Sequence, residues 1–244
     1  MKTRRTNLSR WWMVVLFAMA MAWVEAAVVF YLRSMMHRIE PYQPDPLPAI
    51  GGFAAVELPR ELATLIMLFA VGWLAGRTWR GRFGYFAMAF GMWDIFYYIF
   101  LKIICGWPHS LLDWDVLFLL PLPCWGPVLA PVLISLLLIL WGTLAGQLHE
   151  TPPAGAFNRP AWVLAFLGAV LALYVFMANA LAAAPKGPDA IRAVLPEIFN
   201  WRLFGVALAL MGAPLIEACK QMVLQQSTPL ATVVINPENP CDQT

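Results

Sequence analysis

Apolar residues run along this chain in long unbroken stretches, not in the alternation of strands or the one-sided stripe of soluble helices. Six stretches stand out, at about 11–33, 58–76, 83–105, 124–146, 160–184 and 201–225. Each matches the roughly 20 residues a helix needs to cross a bilayer. The connections are too short for a soluble domain. The pattern predicts an all-α, polytopic transmembrane helical bundle of about six spans, one unit over residues 1–226, followed by a flexible polar tail at 227–244. A transmembrane barrel is excluded, because its strands alternate in segments of about ten residues.

Prolines break the pattern before the fourth span. Pro121, Pro123, Pro127 and Pro131 follow Trp114-Asp115-Val116-Leu117-Phe118. A proline inside a helix removes a hydrogen bond and clashes with the preceding turn. The spacing predicts a short segment at 113–120, a break at 121–126, and then a helix with Pro127 in its first turn and Pro131 as a kink. Backbone broken at membrane depth is tolerated where protein buries it or a wet cavity lines it. Pro41, Pro44, Pro46 and Pro48 predict an extended loop over 34–56, with Glu57, Pro59, Arg60 and Glu61 opening the second helix. Residues 185–200 predict a short amphipathic helix using Ile191, Val194, Leu195 and Ile198, with Asn200 capping the last span.

Composition agrees with the pattern. Of 244 residues, 61% are hydrophobic and 12% charged, with 16 basic and 14 acidic side chains and a net charge of +2. These values exclude a soluble enzyme, a disordered chain and a nucleic-acid binder, which needs a basic face. The basic N-terminus resembles a signal peptide, but its apolar run continues through Leu32, so an uncleaved first helix is expected. Arg77, Arg80 and Arg82 crowd the short second loop. By the positive-inside rule that loop and both termini are cytoplasmic, in a bacterial inner membrane. Cys105 and Cys124 both fall near the outer face, where apolar packing is favoured over a disulfide.

The few charges within the spans carry the chemistry. Each costs about 2.5–3.5 kcal/mol to insert, so those that persist are paired, hydrated or functional. Glu25 lies 14 residues past Trp11, roughly 21 Å along the helix axis, and Asp94 lies roughly 16 Å past Phe83, near the midplane. Asp94, Tyr98 and Lys102 follow at i, i+4 and i+8, a stripe on one face with Tyr97 beside it. Of the acids, only Glu150, Glu217, Glu238 and Asp242 fall on the inner side. An outward-facing polar cavity is therefore expected, with Asp94 at its floor, Glu25, Tyr97, Tyr98 and Lys102 lining it, and Glu57, Arg60, Glu61 and Asp113 around its mouth.

Three readings fit such a cavity. The first is binding or movement of a small molecule or cation, coupled to protons, with Asp94 as the central titrating group. The second is a structural or accessory subunit whose buried charges are packing ion pairs. The third is a metal-dependent hydrolase using His37, His109, Glu57, Glu61 and Asp113. That reading is weakened by the absence of H-x-x-x-H or H-E-x-x-H spacing and by the presence of only three histidines. An enzyme is the less favoured class, and no cofactor is indicated. The partners implied are the lipid bilayer, other membrane proteins and further copies of the chain, not nucleic acid.

Overall fold

The computed structural model describes residues 2–47, 51–118, 122–148 and 159–227. It is a helical bundle in which six helices are long and apolar enough to cross a membrane. These are α1 (Lys2–Met35), α2 (Gly51–Ala75), α3 (Trp79–Cys105), α4 (Leu129–Leu148), α5 (Arg159–Ala183), and α7 (Trp201–Met211) joined to α8 (Ala213–Ser227). The tail beyond Ser227 lies outside the described residues, as do Pro48, Pro121, Glu150 and Cys241.

α3 is the central helix and packs on α1, α2 and α4, while α5 packs on α7 and α8, and α4 joins the two groups through α8. Small residues permit the closest approaches, as expected where no hydrophobic effect drives helices together. A Cβ on Gly84 of α3 would lie 2.8 Å from the Ala145 Cβ of α4, and one on Gly168 of α5 would lie 2.6 Å from the Ala207 carbonyl oxygen of α7. Gly106, at φ 78°, ends α3 by returning its N–H to the Lys102 carbonyl at 3.1 Å.

The short segment expected at 113–120 is an extended strand, and the kink expected at Pro131 is not there. Residues Trp114–Phe118 (β1) and Cys124–Pro127 (β2) form a two-stranded antiparallel hairpin, pairing Trp114 with Pro127, Asp115 with Gly126 and Val116 with Trp125. Aromatic and β-branched residues suit a pleated strand, and the prolines deny the helix alternative. Pro127 therefore closes a strand, and Pro131 falls in the first turn of α4. All four residues of β2 are buried, so the irregular backbone is covered by protein.

Three further boundaries move. α2 begins at Gly51, placing Pro59 inside the helix and not at its start. The helix expected over 185–200 is reduced to α6 (Pro188–Arg192), and Val194, Leu195 and Ile198 follow it in irregular backbone. Pro196 disfavours helical geometry at the residue before it, which explains the early stop. The last span is divided at Gly212, two residues before Pro214. Asn200 does cap it, accepting from the Leu203 N–H at 3.1 Å.

The loop after α1 is tied down by Arg38. Its guanidinium donates to the carbonyls of Pro41 (3.1 Å), Gln43 (3.3 Å), Asp45 (2.9 Å) and Pro46 (3.2 Å). Burial holds this guanidinium somewhat below its usual pKa. The Leu47 N–H donates to the Arg192 carbonyl at 2.9 Å, and the Tyr42 hydroxyl to the Pro196 carbonyl at 2.9 Å. Loop, hairpin and the 187–200 connection thus cover one end of the bundle.

Candidate functional site

Beneath that cover lies a cavity of about 400 Å³. It is lined by the C-terminal halves of α1, α3 and α5, the N-terminal halves of α2 and α4, and the hairpin. Its apolar wall includes Val29, Leu65, Phe90, Trp93, Ile134, Leu173 and Phe176. Its polar groups fall into three sets.

In the first set, Arg60 of α2 is clasped by two carboxylates, Glu57 one turn earlier and Glu25 of α1. The Thr64 hydroxyl donates to Glu25 at 3.3 Å. Glu25 is only 8% exposed, so the pair ties α1 to α2 through charge that would otherwise stand alone in an apolar interior.

In the second set, Arg33 near the end of α1 donates to Asp115 of β1 at 2.8 Å, and its guanidinium lies 4.5 Å from the Trp107 ring centroid. The Tyr98 hydroxyl donates to the other Asp115 oxygen at 3.2 Å. Asp115 is 2% exposed. Burial pushes its carboxyl above the usual range, opposed by the Arg33 guanidinium, the Tyr98 hydroxyl and the Val116 N–H.

The third set lacks a cation. Asp94 of α3 accepts from the Ser135 hydroxyl of α4 at 2.8 Å, and Glu61 of α2 faces the cavity one turn beyond Glu57. Among the described residues neither carboxyl has a basic group within ion-pair distance. Tyr97 and Trp93 lie beside Asp94, with their rings stacked at 6.3 Å between centroids. Cys124 also lines the cavity, and its thiol is pushed up to about 11, first by burial and then by the charge of Glu61.

The expected site residues separate accordingly. Glu25, Glu57, Arg60, Glu61, Asp94, Tyr97 and Tyr98 line the cavity. Lys102 does not; it is exposed and donates to the Gly106 carbonyl at 2.9 Å. The stripe fails there because eight helical residues rotate a side chain roughly 80° past its starting face. Asp113 also lies elsewhere, and one of its oxygens accepts from the N–H groups of His109 (2.6 Å) and Ser110 (3.2 Å). Trp23, deep in the first span, is 48% exposed and rests on Phe100, away from the cavity.

The metal alternative is not assembled. His109 lies 3.2 Å from Glu40, His37 sits in a turn after α1 at φ 51°, and neither joins Glu57 and Glu61 in the cavity. Among the described residues no three His, Cys, Asp or Glu side chains converge as metal ligands. Cys105 and Cys124 are both free thiols.

Arg33, Thr64, Asp115 and Ser135 are cavity residues that the candidate set omitted. Ser135 did leave a signal, as a lone hydroxyl in the run Val132-Leu133-Ile134-Ser135-Leu136-Leu137-Leu138. Arg33 directly follows an unbroken apolar run. No protein-family model matches the chain, and no curated protein or solved structure is similar to it.

Proposed function

We propose that the cavity is an outward-facing site in a bacterial inner-membrane protein that binds and moves a small organic cation, with Asp94 as its central titrating carboxyl. The observation that carries this reading is the uneven pairing inside the cavity. Arg33, Arg38 and Arg60 each bond to carboxylates or loop carbonyls, whereas among the described residues Asp94 and Glu61 have no ion-pair partner. The cavity lining holds five carboxyls, Glu25, Glu57, Glu61, Asp94 and Asp115, against three guanidiniums, Arg33, Arg38 and Arg60, a balance that favours a positively charged ligand. The faces of Trp93 and Tyr97 supply further attraction for positive charge. Intramembrane acids of this kind mark ion, proton and substrate pathways. The orientation rests on the basic loop of Arg77, Arg80 and Arg82.

Asp94→Asn is the informative substitution. The amide oxygen still accepts from Ser135, so folding is retained while the charge is lost. In proteoliposomes, uptake of tetramethylammonium driven by a pH gradient should disappear in the variant. Undiminished uptake would remove Asp94 from the role.

The accessory-subunit reading has one specific observation in its favour, the clasp of Arg60 by Glu25 and Glu57. That clasp joins α1 to α2 and suits a packing role. Asp94 and Lys102, the two charges of the α3 stripe, form no ion pair with each other: one meets Ser135 and the other a backbone carbonyl. A wild-type protein that copurifies with a fixed membrane partner and shows no cation uptake would favour this second reading.

A further inference from the structure

The cavity is walled by helices whose backbones do not all approach one another. α2 packs on α3 and α1, and α5 packs on α7, α8, α6 and β2, whereas among the described residues the backbone of α5 comes close to neither α2 nor α1. Yet Leu65 of α2 and Leu173 of α5 both line the cavity. Leu173 is also 50% exposed on the outer surface, as are its neighbours Val170 and Tyr174. On the other side of the gap, Leu62 and Ile66 of α2 are 55% and 57% exposed. The separation of the two backbones and these exposed aliphatic side chains mark a stretch of the cavity wall without close helix-to-helix packing. The same cavity is lined by Asp94 and Glu61 and by the stacked pair Trp93 and Tyr97.

We propose that the ligand is a cationic amphiphile dissolved in the bilayer, a long-chain amine that enters between α2 and α5. Its ammonium group reaches Asp94, and its tail stays in the cleft beside Leu65, Leu173 and Phe176. The inference rests on the cation-site reading above and adds the source and class of the ligand. Charge complementarity fixes the head: a lining with more carboxyls than guanidiniums, together with aromatic faces, selects an ammonium over a phosphate or carboxylate. The lateral gap fixes the tail, because its rim is aliphatic and opens toward hydrocarbon. A bilayer also concentrates such a molecule, so an inlet at lipid depth is supplied at far higher local concentration than one facing water.

The test uses the full chain in lipid nanodiscs with radiolabelled dodecylammonium and butylammonium, counting saturable binding above that of empty nanodiscs. Dodecylammonium should bind saturably and, at equal mole fraction in the bilayer, about tenfold tighter than butylammonium. Asp94→Asn should weaken both. Leu62→Trp with Val170→Trp narrows the rim outside the cavity lining and should weaken dodecylammonium by about tenfold while leaving butylammonium within about twofold. Melting curves of each variant report whether it folds, and the comparison of tail lengths on the wild type needs no variant. If butylammonium binds equally well and the tryptophan pair leaves dodecylammonium unchanged, entry is from water; the lateral route is then wrong and the cation site stands. If neither amine binds saturably, the cation site itself is wrong.

Discussion

Arg33 and Asp115 meet at 2.8 Å across 82 positions of sequence, one near the end of a membrane span and the other a buried residue of strand β1. Their pairing anchors the hairpin over the cavity. Asp115 brings the strand, Arg33 brings α1, and Tyr98 adds α3 through its hydroxyl.

Arg33→Met strands the Asp115 charge in an interior where it is 2% exposed. Breaking a buried pair from one side costs about 3–5 kcal/mol, and that loss is expected near pH 8. The pH dependence has a definite sign. Burial already raises the folded-state pKa of Asp115, so the folded protein holds the proton more tightly than the unfolded chain. The stability it contributes is present at low pH and is lost as pH rises from the unfolded carboxyl value, near 3.8, through the folded value. Removing Arg33, which opposes the shift, extends this window upward. The variant should therefore recover stability on acidification. Adding Asp115→Asn should remove most of the defect at pH 8. Denaturation in mixed micelles from pH 4 to 8 measures both, and a variant with a flat profile would show that Asp115 does not depend on Arg33.

Gly91→Ala tests how packing sets the site. The new Cβ would fall 2.5 Å from the Ser135 carbonyl oxygen and 2.8 Å from Ile139 Cγ1. α4 must then move away from α3, taking the Ser135 hydroxyl from Asp94. Overpacking of this kind costs about 1–3 kcal/mol. Gly205→Ala is the control, since nothing lies within 4 Å of a Cβ there and alanine is the better helix former. Thermal melting should separate the two, and amine binding should fall only in Gly91→Ala. Equal behaviour would mean that the α3–α4 spacing does not position Asp94.

Cys124 reports on the cavity through its reactivity. Its thiol is 2% exposed and pushed up to about 11, whereas Cys219 is exposed. Thiolate is the reactive form, and below the pKa it grows about tenfold per pH unit. N-ethylmaleimide at pH 7.5 should label Cys219 and spare Cys124, with Cys124 labelling rising as pH increases toward 10. Glu61→Gln removes a charge that raises the thiol pKa and should speed that labelling. Mass spectrometry of the labelled peptides gives the answer, and rapid labelling of Cys124 at neutral pH would contradict its burial against Glu61.

Much of the architecture was readable along the chain. Hydropathy located six spans within a few residues, because crossing a bilayer imposes a nearly local requirement on length and apolarity. Seven of the nine candidate residues line one cavity. Lys102 and Asp113 escaped that logic for different reasons. A rule of four drifts around the helix until Lys102 points away, and Asp113 turns back to cap its own loop. The hairpin was hidden because proline says where a helix cannot be, not what replaces it.

The sequence by itself determined the class, the number of spans, and the rarity of charges within them. Each of these is a sum over neighbouring residues. Only the tertiary structure decided that Arg60 is claimed by Glu25 and Glu57, that Arg33 is claimed by Asp115, and that Asp94 and Glu61 are left without a cation. Pairing depends on helix rotation and on how closely small residues let backbones approach. Those quantities are fixed between segments rather than within them, and so was the gap between α2 and α5.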